Sequence, residues 1–319
     1  MKLDGPMLIT GAAGFIGANI SHRLTKLGLR PHLVVRKFRY PWRIKSILSK
    51  VVLHECDLTH ERNVESLIQR VKPKYIIHCA SYGNYPSQTD PKPIVRTNIL
   101  GTFYLLSACL KSGFRIFINS GSSSEYGFQN FPCTEETLPK PNGHYAWSKL
   151  ASTLYCEYVA KAYRASVLTF RFYSVYGPYE EPTRLIPTLI RCSFEKKSPS
   201  LVSAGVARDF IHIDDVVDLC VLALKRRLES GGIFNIGTGK QSTLKSVVSC
   251  MMQITNTPFD LRWGSMPNRI WDTNVWVCNN QKVKREFNWS PKRSLKTGLT
   301  ETIRWYQNHR AFLYPNQGV

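Results

Sequence analysis

Runs of consecutive apolar residues punctuate the first half of the chain, and between them apolar positions return every three or four residues. The first run, Met7–Thr10, is followed by a glycine-rich turn and a helical pattern reaching about Leu27. The same reading predicts strands at His32–Val35, Val51–His54, Tyr75–Cys79, Arg115–Asn119 and Ser166–Phe172. It predicts helices at Glu61–Val71, Asn98–Lys111 and Tyr145–Tyr163. Strands apolar throughout are those buried on both faces, and strands alternating with helices build a parallel sheet covered on either side. The predicted fold class is therefore α/β, a doubly wound parallel sheet. Beyond Gly177-Pro178 the pattern turns irregular, broken by Pro182, Pro187 and Pro199, until Ile233–Ile236 offers a late strand that rejoins the sheet. The tail from Trp263 to Trp305 reads as a smaller C-terminal lobe. Expected boundaries are a first domain over 1–175, with 208–240 returning to it, and the second lobe over most of 176–319.

Composition alters this picture only through charge. Of 319 residues, 43% are hydrophobic and 20% charged, as in ordinary globular domains. The formal net charge is +21. Such an excess suits a nucleic-acid or membrane-surface partner, and equally an enzyme whose cofactor and substrate both carry phosphates. The basic residues are scattered (Lys37, Arg39 and Arg43; Lys196 and Lys197; Lys282, Lys284 and Arg285) and form no nucleic-acid motif. Neither a nucleic-acid nor a membrane partner is expected. The nine cysteines make no Cys-x-x-Cys pair, which argues for reduced thiols and against a zinc ribbon. No apolar run approaches the roughly 18 residues of a membrane span. Met1–Pro6 lacks the layout of a signal peptide, so the expectation is a cytoplasmic protein.

Gly11-Ala12-Ala13-Gly14-Phe15-Ile16-Gly17 follows the first strand and opens the first helix. Glycines there let backbone N–H groups approach a pyrophosphate, and the helix N-terminus favours its charge. This placement makes the first domain a Rossmann dinucleotide-binding domain. About 20 residues further on, an NAD enzyme places Asp or Glu against the ribose 2′-OH. Here Arg36 and Lys37 end the second strand, with Arg39 close behind. A forked guanidinium suits a 2′-phosphate, so NADP is favoured and NAD remains the alternative.

In Tyr145-Ala146-Trp147-Ser148-Lys149 the tyrosine and lysine stand one helical turn apart on the same face. An ammonium beside a phenol favours the phenolate and fits it for proton exchange near neutral pH. Ser120-Gly121-Ser122-Ser123-Ser124-Glu125-Tyr126-Gly127 directly follows the fifth strand, at the sheet end where ligands of such folds bind.

With these landmarks the chain resembles the extended short-chain dehydrogenases/reductases, the nucleotide-sugar epimerase/dehydratase family. Further landmarks are Asp57-Leu58, His78-Cys79-Ala80, Asn98–Thr102, Arg171–Pro178, Arg208–Asp215 and Phe234–Gly239, spread over nearly the whole chain. The resemblance implies Tyr145 as acid/base, Lys149 as its partner on the nicotinamide ribose, and Ser122 as the catalytic hydroxyl. It implies cofactor contacts from Gly11, Gly14, Phe15, Ile16, Gly17, Arg36, Lys37, Asp57, Leu58, Ala80, Tyr145, Lys149 and Tyr173. Ser123, Ser174, Arg184, Arg208 and Arg269 would meet the nucleotide sugar in the smaller, substrate-binding lobe. Ser174, a shorter group offering fewer hydrogen bonds, stands where the family commonly has Asn. His212, Asp214 and Asp215 read as structural, and no metal is expected. A homodimer through the helices near Asn98–Lys111 and Tyr145–Tyr163 is also implied.

Family members that eliminate water usually carry an acid two positions before the tyrosine of the serine loop. Ser124 stands there, Ser123 beside it, and Glu125 is one place too late. The expected reaction is hydride transfer at a sugar carbon, C4 by resemblance. The basic strand end favours an NADPH-dependent reductase of a nucleotide-linked 4-keto-6-deoxysugar. The alternative is a 4-epimerase with tightly held cofactor; a dehydratase, a non-catalytic NADP sensor and a nucleic-acid-associated protein follow behind.

Overall fold

The computed structural model describes residues 3–37, 41–85, 87–226, 228–229, 231–269 and 272–314. The chain divides into two compact units. Met1–Gly127, Thr137–Phe172 and Val217–Asn235 form the first; Phe128–Glu136, Tyr173–Val216 and Ile236–Val319 form the second.

The first unit is built on strands β1 (Met7–Thr10), β2 (His32–Val35), β3 (Val52–Glu55), β4 (Tyr75–His78), β5 (Ile116–Ser122), β6 (Val167–Phe172) and β7 (Gly232–Ile236). They lie in the order β7-β6-β5-β4-β1-β2-β3, and β1 to β6 pair in parallel. The order reverses beside β1, so the crevice at its carboxyl end is the expected ligand position of a doubly wound sheet. All four residues of β1 and of β4 are buried, as their continuous apolar character requires.

Helices α1 (Phe15–Lys26) and α2 (Glu61–Val71) follow β1 and β3. Helix α3 runs from Pro91 to Ser112, with one wide turn at Arg96–Leu100. It starts earlier than the predicted Asn98 because Asp90 caps it, accepting from Lys92 N at 2.9 Å, and Pro91 fits the first helical position. By length and composition α3 is apolar enough to cross a membrane, which run-counting missed because Arg96, Thr97 and Asn98 interrupt it. Its buried side, including Leu105, Leu106 and Cys109, packs into the sheet's core. Helix α4 (His144–Ala162) packs beside it: Asn98 Nδ2 donates to Ser148 Oγ at 2.8 Å, and Ser152 Oγ to Asn98 O at 2.6 Å.

The second unit has its own core, in which Ile186, Leu189, Val247, Met251, Leu299 and Tyr306 meet. The segment returning to the sheet is shorter than the expected 208–240. Phe210–His212 pairs with Ser174–Tyr176, and Ala207–Arg208 with Ser242–Thr243, which keeps both flanks in the second unit. Residues 128–136 also join that unit, where the Cys133 backbone forms an isolated parallel β-bridge with that of Cys278, both thiols being free.

Candidate active site

Gly11 takes a left-handed backbone, φ 63°, and its missing side chain lets the loop sit on the end of β4: a Cβ would stand 2.5 Å from Ala80 N. A Cβ on Gly17 would collide with Gly11 O, so the second contact fixes helix against loop. Gly14 is the exposed N-cap of α1, and no side chain caps that end. The N–H groups of Phe15 and Ile16 in the bare first turn are what a pyrophosphate needs. The cradle fits the dinucleotide expected for this loop.

Beneath the loop, His78 joins β1 and β4 to α3. Thr102 Oγ1 donates to Asn98 O at 2.6 Å, so it accepts from His78 Nε2 at 2.9 Å. Nδ1 is then the bare nitrogen that accepts from Thr10 Oγ1 at 2.6 Å. Thr10 Oγ1 in turn accepts from Ala80 N at 3.4 Å. Burial first, and then the Lys149 charge, lower the His78 pKa to about 3, keeping it neutral.

Arg36 and Lys37 are exposed directly after β2, and Arg39 lies outside the described residues. Asp57, just beyond β3, accepts from Thr59 N at 3.0 Å. Burial pushes its carboxyl up, but the Thr59 hydrogen bonds and the charges of His60 and Arg36 hold it below the ordinary value. Leu58 is buried, and its Cβ would stand 3.3 Å from a Cβ on Gly101. The 3-10 helix Trp42–Lys50, unpredicted, brings a further cation to the loop. Arg43 Nη1 reaches Ala13 O at 3.4 Å, and its guanidinium lies 4.1 Å from the Trp42 ring centre.

Ser122 ends β5 and caps the 3-10 turn Ser123–Tyr126. Its Oγ accepts from Ser124 N at 3.2 Å and lies 2.8 Å from Ser124 Oγ. Ser124 N fills one acceptor site of the Ser122 hydroxyl, and either hydroxyl can be the donor in the Ser122–Ser124 contact. Ser123 is buried. Tyr145, half-buried, opens α4, and Lys149 lies one turn on with 3% exposure. Burial pulls Lys149 below the usual lysine range; the Glu125 charge opposes it. Lys149 also acts on His78 and Cys79, which sets its ammonium at the carboxyl ends of the central strands.

The remaining expected residues belong to the second unit. Tyr173 is buried, its N–H bonded to Ile236 O at 3.0 Å, and Ser174 N donates to Asp209 O at 3.0 Å. Arg184 is the N-cap residue of the helix Leu185–Glu195. Arg208 Nη2 pairs with Asp272 Oδ1 at 2.7 Å, and the other Asp272 oxygen accepts from Arg269 N at 2.8 Å. Trp276 lies 5.2 Å under the Arg208 guanidinium. His212, Asp214 and Glu301 hold ligand-type atoms within 4.8 Å of one another. Arg293 sits among them, pairing with Asp214 at 3.3 Å, Asp215 at 3.0 Å and Glu301 at 2.6 Å, so the cluster has its counter-charge from protein.

A family model described as the NAD dependent epimerase/dehydratase family matches residues 7–237. The chain belongs to that family. It is 27% identical over 320 residues to a dTDP-glucose 4,6-dehydratase of Streptomyces antibioticus, covering 97% of this chain and 94% of the relative. It is 26% identical over 325 residues to a UDP-glucose 4-epimerase of Rhizobium meliloti (strain 1021), covering 94% and 96%. The solved structure of MoeE5 in complex with UDP-glucuronic acid and NAD is 28% identical, with TM-score 0.85 over 96% of this chain and 100% of that one.

Within this epimerase/dehydratase chain, Glu125 has a role its position in the serine loop did not reveal. Its side chain is fully buried, 2.7 Å from Arg171 Nε and 2.8 Å from Ser122 N. Arg43 and Asp272 were likewise missed. Their partners lie 30 and 64 residues away, beyond any local spacing rule.

Proposed function

We propose that this enzyme transfers hydride at C4 of a nucleotide-linked sugar, without elimination of water. The observation that carries this is the burial of Glu125 against Arg171. The carboxylate nearest the expected elimination base is committed to a fully buried ion pair, and Ser123 and Ser124 stand where the acids would be. When bound, the nicotinamide supplies the hydride chemistry. Tyr145 takes or returns the proton of the sugar hydroxyl, Ser122 donates a hydrogen bond to the same oxygen, and Lys149 holds a positive charge one turn from the phenol. In the second unit, Arg208, held by Asp272, and Arg269 are cations suited to a diphosphate.

The NADPH-dependent reductase of a 4-keto-6-deoxysugar is favoured by the basic residues Arg36, Lys37 and Arg43 around the adenosine end of the loop. The 4-epimerase reading is supported by the relatives, which include a UDP-glucose 4-epimerase beside the dTDP-glucose 4,6-dehydratase, and by MoeE5, which was solved with NAD. The two separate by stoichiometry. Incubation of the protein with NADPH and nucleotide-linked 4-keto-6-deoxysugars consumes nicotinamide absorbance for a reductase. UDP- and dTDP-hexoses without added cofactor give isomers for an epimerase. Formation of a 4-keto-6-deoxy product from dTDP-glucose would instead establish a dehydratase and overturn the reading. The same proposal includes a homodimer through α3 and α4, which expose Phe103, Leu154 and Tyr158.

A further inference from the structure

The serine loop is tied to the core by one continuous buried network within the first unit. Glu125 Oε1 accepts from Ser122 N at 2.8 Å, and Glu125 Oε2 from Arg171 Nε at 2.7 Å. Arg171 Nη1 donates to Tyr126 Oη at 2.8 Å, and Tyr126 Oη donates to Asn235 Oδ1 at 2.7 Å. The Arg171 guanidinium lies 4.6 Å from the Tyr126 ring centre. Gly121 leaves room for the carboxylate: a Cβ there would stand 3.0 Å from Glu125 Oε1. The network joins the carboxyl ends of β5 and β6 to β7, and it starts at the backbone of the residue whose hydroxyl the proposed chemistry uses.

A buried ion pair of this kind is not needed for stability alone, since an apolar pair of similar volume often serves as well. What an apolar pair cannot do is accept the Ser122 N–H. One carboxylate oxygen grips the serine backbone, and the other is anchored by a guanidinium that Tyr126 and Asn235 hold in turn. Meanwhile Ser122 Oγ accepts from Ser124 N, so backbone and hydroxyl are fixed from the two ends of one capping box. We infer that Glu125 is a positioning residue, clamped by Arg171, that holds Ser122 where its hydroxyl can donate to the reacting sugar oxygen. This rests on the reading of Ser122 as catalytic given above. The charge of Glu125 also opposes the burial that lowers the Lys149 pKa, so the same carboxylate favours the charged form of the lysine.

The test compares two double variants of the full-length protein. Glu125→Gln/Arg171→Met keeps an acceptor for Ser122 N without the ion pair; Glu125→Leu/Arg171→Met removes both. Amide hydrogen exchange at Ser122 needs no substrate; it is expected to be at least about tenfold faster than wild type in the Leu/Met protein and intermediate in the Gln/Met protein, which keeps the acceptor but loses the Arg171 anchor. With the nucleotide sugar that wild type turns over, kcat is expected to fall about tenfold to a hundredfold in Leu/Met at unchanged KM, and to recover in part in Gln/Met. Equal Ser122 protection in the two doubles, or equal kcat, overturns the inference. If wild type turns over none of the sugars, the proposed reaction fails and the exchange comparison alone decides the clamp. Should the Leu/Met protein not fold, Glu125→Asp decides. It keeps the charge but is too short to reach both partners, so faster Ser122 exchange supports the clamp and wild-type exchange refutes it.

Discussion

Lys149 is held in a position that pulls it two ways. Burial lowers its pKa and the nearby Glu125 charge raises it, and one helical turn away stands Tyr145, the proposed acid/base. Tyr145→Phe is therefore expected to leave dinucleotide binding intact while lowering turnover by about 10²–10⁴-fold, read by binding titration and steady-state kinetics side by side. His78 gives a prediction for stability. Its folded pKa, about 3, lies below the ordinary 6.5 of the unfolded chain, so as pH falls the unfolded state takes up the proton first. Stability is complete above about pH 6.5 and is lost as pH falls towards 3, by up to roughly 4 kcal/mol for this group. Denaturant unfolding across that range should show the slope, and His78→Gln should flatten it. That Tyr145 and Lys149 share one helix and that Ser122 lies at the end of a strand were legible in the sequence, because helical spacing and strand ends are local properties. The Glu125–Arg171 pair and the His78 tautomer were not, because each depends on partners 46, 68 and 24 residues away.

At the level of elements, the strands of the large sheet other than β5 were read to within a residue at each end, whereas short strands such as Ser174–Tyr176 and Phe210–His212 were not. β5 extended past the predicted Asn119 to Ser122, since polar residues that pair along β6 carry no hydrophobic signal. The 3-10 helix Trp42–Lys50 escaped for a related reason: basic residues and a short period mask its buried Ile44 and Ile47. The loop from β1 to α1 is the element most sensitive to change. Gly17→Ala would press a methyl against Gly11 O and is expected to destabilise the protein by about 1–3 kcal/mol and to abolish dinucleotide binding, measurable by thermal shift with and without NADPH. At the end of β2, Arg36→Asp should shift the ratio of NADPH to NADH affinity towards NADH by about tenfold or more. An unchanged ratio would remove the argument for NADP.

For the whole molecule, lysine and arginine number 43 against 22 acidic residues, an excess that suits phosphate-bearing ligands. That residues 128–136 belong to the second unit was not read from the sequence, because an isolated backbone β-bridge between positions 133 and 278 leaves no periodic trace. Helices α3 and α4 expose Phe103 at 42%, Leu154 at 52% and Tyr158 at 59%, the apolar side chains on which the proposed dimer contact rests. Sedimentation velocity is expected to show a dimer, and Leu154→Glu a monomer that still binds dinucleotide. The most direct measurement of the catalytic claim follows nicotinamide absorbance and sugar product for wild type and Tyr145→Phe, given NADPH with 4-keto-6-deoxy nucleotide sugars and, separately, UDP-hexoses. Wild type should convert at least one of these substrates while the phenylalanine variant, still holding cofactor, is nearly silent. A wild type that binds the dinucleotide yet converts none of them, or a variant that keeps pace with it, would contradict hydride chemistry at Tyr145.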